Sequence, residues 1–201
     1  MLVTGIKSKP VYAPLSADAG GRYHLLLGVG PGGAALLRVL GEMKTSAPAA
    51  LAETRVLIVP EVAGTTLQFE RAGVADLAVF DGTKPLLEAF TRVLEKSLMG
   101  TRLYVAGPES FIGLAMQIAL RFDLNKDEIR AEEMGTLARR VYCVHCRATT
   151  EGVRTNIVSC TGCGRWLLVR DHYSRRLAAY MGVMVDAEAP GELPPVKDVY
   201  L

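Results

Sequence analysis

The 201-residue sequence predicts an α/β protein: a mostly parallel sheet flanked by helices, with a small C-terminal four-cysteine knuckle domain of the zinc-ribbon or rubredoxin kind. Three observations carry this. Between residues 23 and 133, short continuous apolar runs alternate with apolar residues at helical spacing. Glycine-containing turns sit where a run gives way to a helical pattern. All four cysteines fall in two C-x-x-C pairs.

The elements follow in order. Residues 1–20 are an irregular lead-in with Gly20-Gly21 at its end. Tyr23–Val29 is uninterruptedly apolar enough for a buried parallel strand. After Gly30-Pro31-Gly32-Gly33, the residues Leu36, Leu37, Leu40 and Met43 mark a helix over Ala34–Met43. Arg55–Val59, stopped by Pro60, and Leu77–Phe80, ended by Asp81-Gly82, read as the next two strands. A helix from Pro85 to Leu98 has proline in its first turn, where the missing N–H costs nothing. Thr101–Ala106 is a fourth strand; Gly107-Pro108-Glu109-Ser110 turns into a helix carrying Ile112, Ala115, Met116, Ala119 and Leu120; Ile129–Glu133 closes the sheet. The α/β domain therefore spans 21–136 and the cysteine domain 137–185, the latter with a C-terminal helix over Ser174–Met181. The proline-containing tail 186–201 reads as extended.

Composition narrows the function. Half the residues are hydrophobic, enough for a sizeable core. A formal net charge of +2 argues against a nucleic-acid binder, although Arg139, Arg140, Arg147, Arg154, Arg165 and Arg170 surround the cysteines. Met1–Pro10 lacks the pattern of a signal peptide, and no apolar run is long enough to span a bilayer. The expected location is cytoplasmic, with no membrane partner. In a reducing compartment paired C-x-x-C motifs read as metal ligands rather than disulfides.

Cys143, Cys146, Cys160 and Cys163 supply four thiolates, the number a tetrahedral ion takes. Burying them without a cation is unfavourable, so the ion contributes to folding. Gly164, after the second pair, suits a knuckle that needs positive φ. Zinc and a single rubredoxin-type iron both suit four thiolates. Arg147, where a rubredoxin carries glycine, favours zinc. His145 lies inside the first knuckle and is expected to point away from the ion.

Gly30, Gly32 and Gly33, between a strand and a helix N-terminus, mark a place where a phosphate could lie; a tight turn needing positive φ explains them equally. No acidic residue at the right distance pins a ribose, since Glu53 precedes its strand. Leu25–Leu40 resembles the first strand-turn-helix of the pyridine-nucleotide module of ferredoxin reductases. Leu103–Phe111 resembles that family's strand ending in Cys-Gly-Pro, with Ala106 in place of the cysteine, and Ile129–Gly135 its closing stretch. The resemblance implies NAD(P)H at Gly30, Gly32, Gly33, Gly107 and Pro108. It also implies that, without the family's flavin barrel, a hydride has no acceptor within this chain, so that the module either binds nucleotide inside a larger complex or has become a scaffold.

The segment Val169–Gly182 is dense in polar and aromatic groups; His172, Tyr173, Arg175 and Arg176 are candidates for a partner surface or an anionic ligand. The two knuckles followed by Asp171-His172-Tyr173-Ser174-Arg175-Arg176 resemble the small subunit of bacterial dimethylamine monooxygenases. That resemblance implies an accessory or electron-transfer subunit of a multisubunit NAD(P)H-dependent enzyme that converts dimethylamine to methylamine and formaldehyde. Haem, flavin and iron–sulfur centres would sit on partner subunits, and no catalytic residue is expected here. The alternative is a free-standing nucleotide-binding or regulatory scaffold protein with a structural zinc site.

Overall fold

A computed structural model describes residues 8–18, 20–62 and 64–201. The chain divides into two compact units, Tyr12–Gly135 and a second formed by residues 8–11 with Thr136–Leu201. The lead-in expected over 1–20 lies partly outside the described residues.

The first unit alternates strand and helix throughout: β1 (Tyr23–Val29), α1 (Gly32–Ser46), β2 (Thr54–Val59), α2 (Thr65–Arg71), β3 (Asp76–Val79), α3 (Thr83–Leu94), β4 (Thr101–Gly107), α4 (Glu109–Arg121) and β5 (Ile129–Glu133). All its strand pairs are parallel, in the order β3-β2-β1-β4-β5. The predicted fold class is borne out. The helix α2 was not anticipated: its seven residues hold only Leu67 and Phe69 as large apolar groups, too few for a visible period, and Phe69 alone anchors it in the core.

Strand alternation sends successive β1 side chains to opposite faces. Leu25 and Leu27 join Phe90, Phe111 and Ile112 beneath α3 and α4. Leu26 joins Leu36, Leu40, Phe69 and Tyr104 beneath α1 and α2. Both faces are covered, which is why β1 reads as near-continuous hydrophobicity, broken only by the buried His24. Leu15 and Ala17 extend the second cluster. The lead-in backbone is held there by side chains: the Leu15 amide donates to Glu132 at 2.6 Å, Ala17 to Glu42 at 2.8 Å and Asp18 to the Tyr104 hydroxyl at 2.9 Å. Arg130 donates to the Asp18 carboxylate at 2.9 Å, holding that carboxyl below its usual range.

The second unit is all β: β6 (Arg139–Cys143), β7 (Thr149–Val153), β8 (Ile157–Ser159), β9 (Trp166–Ser174) and β10 (Ala179–Met184), in the order β7-β6-β10-β9-β8. Two antiparallel hairpins, β6–β7 and β8–β9, flank β10. The helix expected over Ser174–Met181 is therefore corrected to a turn and a strand. Leu177, Ala178 and Ala179 favour a helix locally, but β10 pairs with β6 on one side and β9 on the other, and that pairing overrides propensity. Gly182 fits because a Cβ there would lie 2.7 Å from Val141 Cγ1. Residues of the tail, 193–201, are extended and tied down: Asn156 N–H donates to Lys197 O, and the Val199 and Tyr200 amides to Arg154 O, at 2.9–3.0 Å. The Arg139 guanidinium lies between the Tyr180 and Tyr200 rings, 3.9 and 3.7 Å from their centroids. Among the described residues no helix is long and apolar enough to cross a membrane.

Candidate metal centre

Each hairpin of the second unit carries one C-x-x-C turn, and the two turns are built alike. Cys143 N–H donates to Ala148 O and Cys160 N–H to Arg165 O, both at 2.9 Å. Arg147 N–H donates to Cys143 O at 2.9 Å and Gly164 N–H to Cys160 O at 3.0 Å. The residue after each second cysteine is left-handed, Arg147 at φ 66° and Gly164 at φ 72°. The glycine expected from the knuckle geometry is present in one copy; in the other an arginine bears the strain.

The sheet brings all four sulfurs within 4.8 Å of one another. Cys143 Sγ lies 3.8 Å from Cys163 Sγ, and Cys146 Sγ lies 3.5 Å from Cys160 Sγ. A tetrahedral ion with metal–sulfur bonds of ~2.3 Å has sulfur–sulfur edges of ~3.8 Å. The donor set and its spacing thus fit a thiolate-bound ion. Cys143 and Cys160 are buried, Cys163 is half-buried and Cys146 is exposed.

Amides stabilise the thiolates. Gly162 N–H donates to Cys160 Sγ at 3.4 Å. The Arg165 amide and then its guanidinium hold the Cys163 thiol at about 6. Burial opposes ionisation of Cys160, but the amides of Cys163 and Gly162 outweigh it and keep that thiol low. The Ala148 amide also pulls on Cys146, yet burial and the neighbouring Cys160, Cys163 and Cys143 sulfurs push it up to about 11. One sulfur of the cluster holds its proton because like charges crowd it, and a cation removes that conflict.

Two contacts here were not legible. Arg165 joins the second knuckle through its carbonyl, which accepts the Cys160 amide, and through its amide and guanidinium, which bond Cys163; its offset from Cys160, matching Ala148 from Cys143, is the sequence signal. His145 Nε2 accepts the Met184 amide at 3.2 Å, so the ring is held by the end of β10. Of the four polar candidates on β9 and its turn, Tyr173 is buried edge-on against Tyr180 at 5.0 Å. His172 is half-buried, and Arg175 and Arg176 are exposed in the turn.

The other predicted site residues lie at the C-terminal ends of the two central strands of the first unit, where strand order reverses. Gly30 (φ 57°) has open space around it. A Cβ on Gly32 would overlap the Ala106 carbonyl and lie 2.8 Å from Gly107 N. The Gly33 and Ala34 amides are spent on the Gly30 and Pro31 carbonyls at 3.2 and 3.1 Å. Gly135 stands where a Cβ would touch both Pro31 and Pro108, and Met134 N–H donates to Gly107 O at 2.9 Å. The structure thus brings Gly32, Gly107 and Pro108 together through their own packing.

Fold and site define a class: a five-stranded parallel α/β module joined in one chain to a four-cysteine β-ribbon. Residues 4–129 match the N-terminal domain, and 140–183 the C-terminal domain, of the family described as dimethylamine monooxygenase subunit DmmA-like. The chain belongs to that family. It is 33% identical over 125 residues to the heme-dependent oxidative N-demethylase delta subunit of Ectopseudomonas mendocina (strain ymp), covering 61% of this chain and 71% of that one. Among solved structures, the ferredoxin reductase of carbazole 1,9a-dioxygenase aligns at TM-score 0.42 and 15% identity, over 58% of this chain and 34% of that one. The C-terminal domain of a Pyrococcus furiosus hydrogenase aligns at TM-score 0.44 and 13% identity, over 62% and 99%. This chain spans about a third of the reductase, and likenesses at that level carry no conclusion about chemistry.

Proposed function

We propose that this chain is the small, non-autonomous subunit of a haem-dependent oxidative N-demethylase that acts on dimethylamine. In the overall reaction dimethylamine, O2, NAD(P)H and a proton give methylamine, formaldehyde, NAD(P)+ and water. The observation that carries the reading is that one family accounts for both units, the four-cysteine ribbon included. Haem, flavin and iron–sulfur chemistry belongs to partner subunits in this reading, and the complex is cytoplasmic.

Cys143, Cys146, Cys160 and Cys163 would hold one zinc ion, which supplies a rigid, redox-inert clamp. The strained Arg147 and the sulfur spacing accommodate iron as well, and zinc is the prior for paired C-x-x-C turns. In the α/β unit the residues at the strand-order reversal fit a pyrophosphate poorly. Pro31 supplies no amide, two of the next amides are spent, and Gly32 is filled by Ala106 and Gly107. We read this unit as a scaffold that keeps the nucleotide fold without the nucleotide.

Co-expression with the haem-bearing and flavin/iron–sulfur reductase subunits of such an enzyme tests the reading. The chain should co-purify with them, and omitting it should abolish NAD(P)H-dependent formaldehyde release from dimethylamine. Elemental analysis should return one zinc per chain and a colourless product. One iron per chain with a red ferric spectrum would overturn the zinc assignment, and full activity without the chain would overturn the subunit role.

A further inference from the structure

We propose that Gly162 and Thr150 set the separation of the two cysteine turns, and through it the size of ion the four sulfurs accept: a small tetrahedral dication such as zinc over a larger one. The inference rests on the metal-site reading above and names the residues that give the site its selectivity.

The two turns are alike in backbone and unlike where they meet. Counted from the first cysteine of each pair, Val144 corresponds to Thr161, His145 to Gly162 and Ala148 to Arg165. The His145 ring is held at the end of β10 by the Met184 amide. Its counterpart Gly162 faces the other turn. A Cβ there would lie 2.6 Å from Ala148 Cβ, 3.0 Å from Cys146 Sγ and 3.8 Å from Cys160 Sγ. The first distance is well inside the ~3.5–4.0 Å of an ordinary carbon contact, and alanine has no flexible end to yield. Space rather than backbone therefore requires this glycine, since the left-handed residue of the turn is Gly164. A side chain at residue 162 would wedge the turns apart beside Cys146 and Cys160.

Thr150 supplies the attraction. It is buried on β7, and its hydroxyl oxygen accepts the Thr161 amide at 3.3 Å and lies 3.2 Å from the Thr161 hydroxyl. The strand that leaves the first turn is thereby tied to the residue that follows Cys160. Gly162 lets the turns approach and Thr150 holds them there. The result is read in the two printed distances between sulfurs of different turns, 3.8 Å for Cys143–Cys163 and 3.5 Å for Cys146–Cys160. These are at or just below the ~3.8 Å edge of a tetrahedron with bonds of ~2.3 Å. An ion with longer bonds needs the turns farther apart, against the Thr150–Thr161 hydrogen bonds.

Zinc and cadmium share charge, filled d shell and tetrahedral thiolate coordination but differ in size, so the ratio of their affinities reads the size of the sulfur cage. A change that only destabilises the fold weakens both ions by one factor, because folding and binding are coupled, and leaves the ratio alone. Each ion is titrated separately into the reduced, metal-free full chain against a competing chelator. Gly162→Ala should weaken zinc about hundredfold and cadmium about tenfold, a tenfold shift of the ratio toward cadmium. Adding Ala148→Gly removes the carbon that the new methyl meets, and should return most of that shift. Thr150→Val, which loses the hydroxyl, should move the ratio the same way by about threefold, and Thr150→Ser should leave it in place. Equal weakening of both ions by Gly162→Ala overturns the selectivity assignment and leaves the metal site standing. Should Gly162→Ala hold neither ion, an unmoved ratio in Thr150→Val overturns it instead. An unmutated chain that takes up neither ion overturns the metal-site reading and this inference with it.

Discussion

The two units of this chain solve the same problem by different means. The α/β unit buries apolar clusters on both faces of its sheet, from Leu25 and Phe90 on one side to Leu36 and Phe69 on the other. The four-cysteine unit has a smaller cluster, and two of its eight fully buried members are the cysteines Cys143 and Cys160. Its centre is built of thiols that repel one another once ionised. The first unit is stable through burial, which is spread over many residues. The second gathers four thiols at one point, where a bound cation would relieve their repulsion.

The largest expected effect separates the units on that basis. Structural zinc in such sites contributes on the order of 10–16 kcal/mol of apparent folding free energy, as much as a whole domain's stability. Chelation, or Cys160→Ser, should therefore unfold β6–β10 while amide protons of β1 and β4 stay protected in hydrogen exchange. Loss of protection in both units together would show that they fold as one. The pH dependence follows from the thiols. Ionisation is required for binding, so affinity falls as pH falls. At pH 8 Cys163 (about 6) is already a thiolate while Cys146 (about 11) still holds its proton. Metal binding at that pH should release at least one proton, measured by calorimetry in two buffers of different ionisation enthalpy. Below about 6 Cys163 competes as well, and the affinity should drop more steeply.

A middle-sized effect sharpens the contrast within the glycines. Gly32→Ala places a Cβ against the Ala106 carbonyl, with backbone on both sides and no flexible side chain to yield. It should destabilise the α/β unit by about 3 kcal/mol, the upper range for overpacking. Gly30→Ala meets nothing within 4 Å and bears only its positive φ, costing about 1 kcal/mol. Denaturant melts of the two variants, followed by far-ultraviolet dichroism, check the order. Equal losses would mean that the β1–α1 turn relaxes.

How much of this was readable depended on where each element's information lies. The parallel strands carry it in their own residues, because burial on both faces makes residues 25–29 and 103–106 apolar throughout. The four cysteines carry it in their spacing. The segment after Ser174 carries it elsewhere: whether Ala179–Met184 is helix or strand is decided by β6 and β9, which are brought to it by the knuckles. Likewise the glycine cluster was legible as a turn, but whether its amides were free was not. That depended on the local turn, in which the Gly30 and Pro31 carbonyls take the Gly33 and Ala34 amides.

The smallest effect tests the likeness of the two knuckles themselves. Arg147 and Gly164 hold equivalent places, with φ 66° and 72° and equivalent hydrogen bonds to the first cysteine of each pair. An L-residue with a side chain is disfavoured there by about 1 kcal/mol relative to glycine. Arg147→Gly should recover most of that amount, less the greater freedom glycine adds to the unfolded chain. Gly164→Ala should lose a similar amount, since the space beside it is open and only φ opposes the change. Because metal binding and folding of this unit are coupled, both differences appear in chelator competition: a several-fold tighter ion for Arg147→Gly and a several-fold weaker one for Gly164→Ala. If Arg147→Gly instead weakens the ion, the guanidinium contributes to holding the site, and the two knuckles are alike in backbone only.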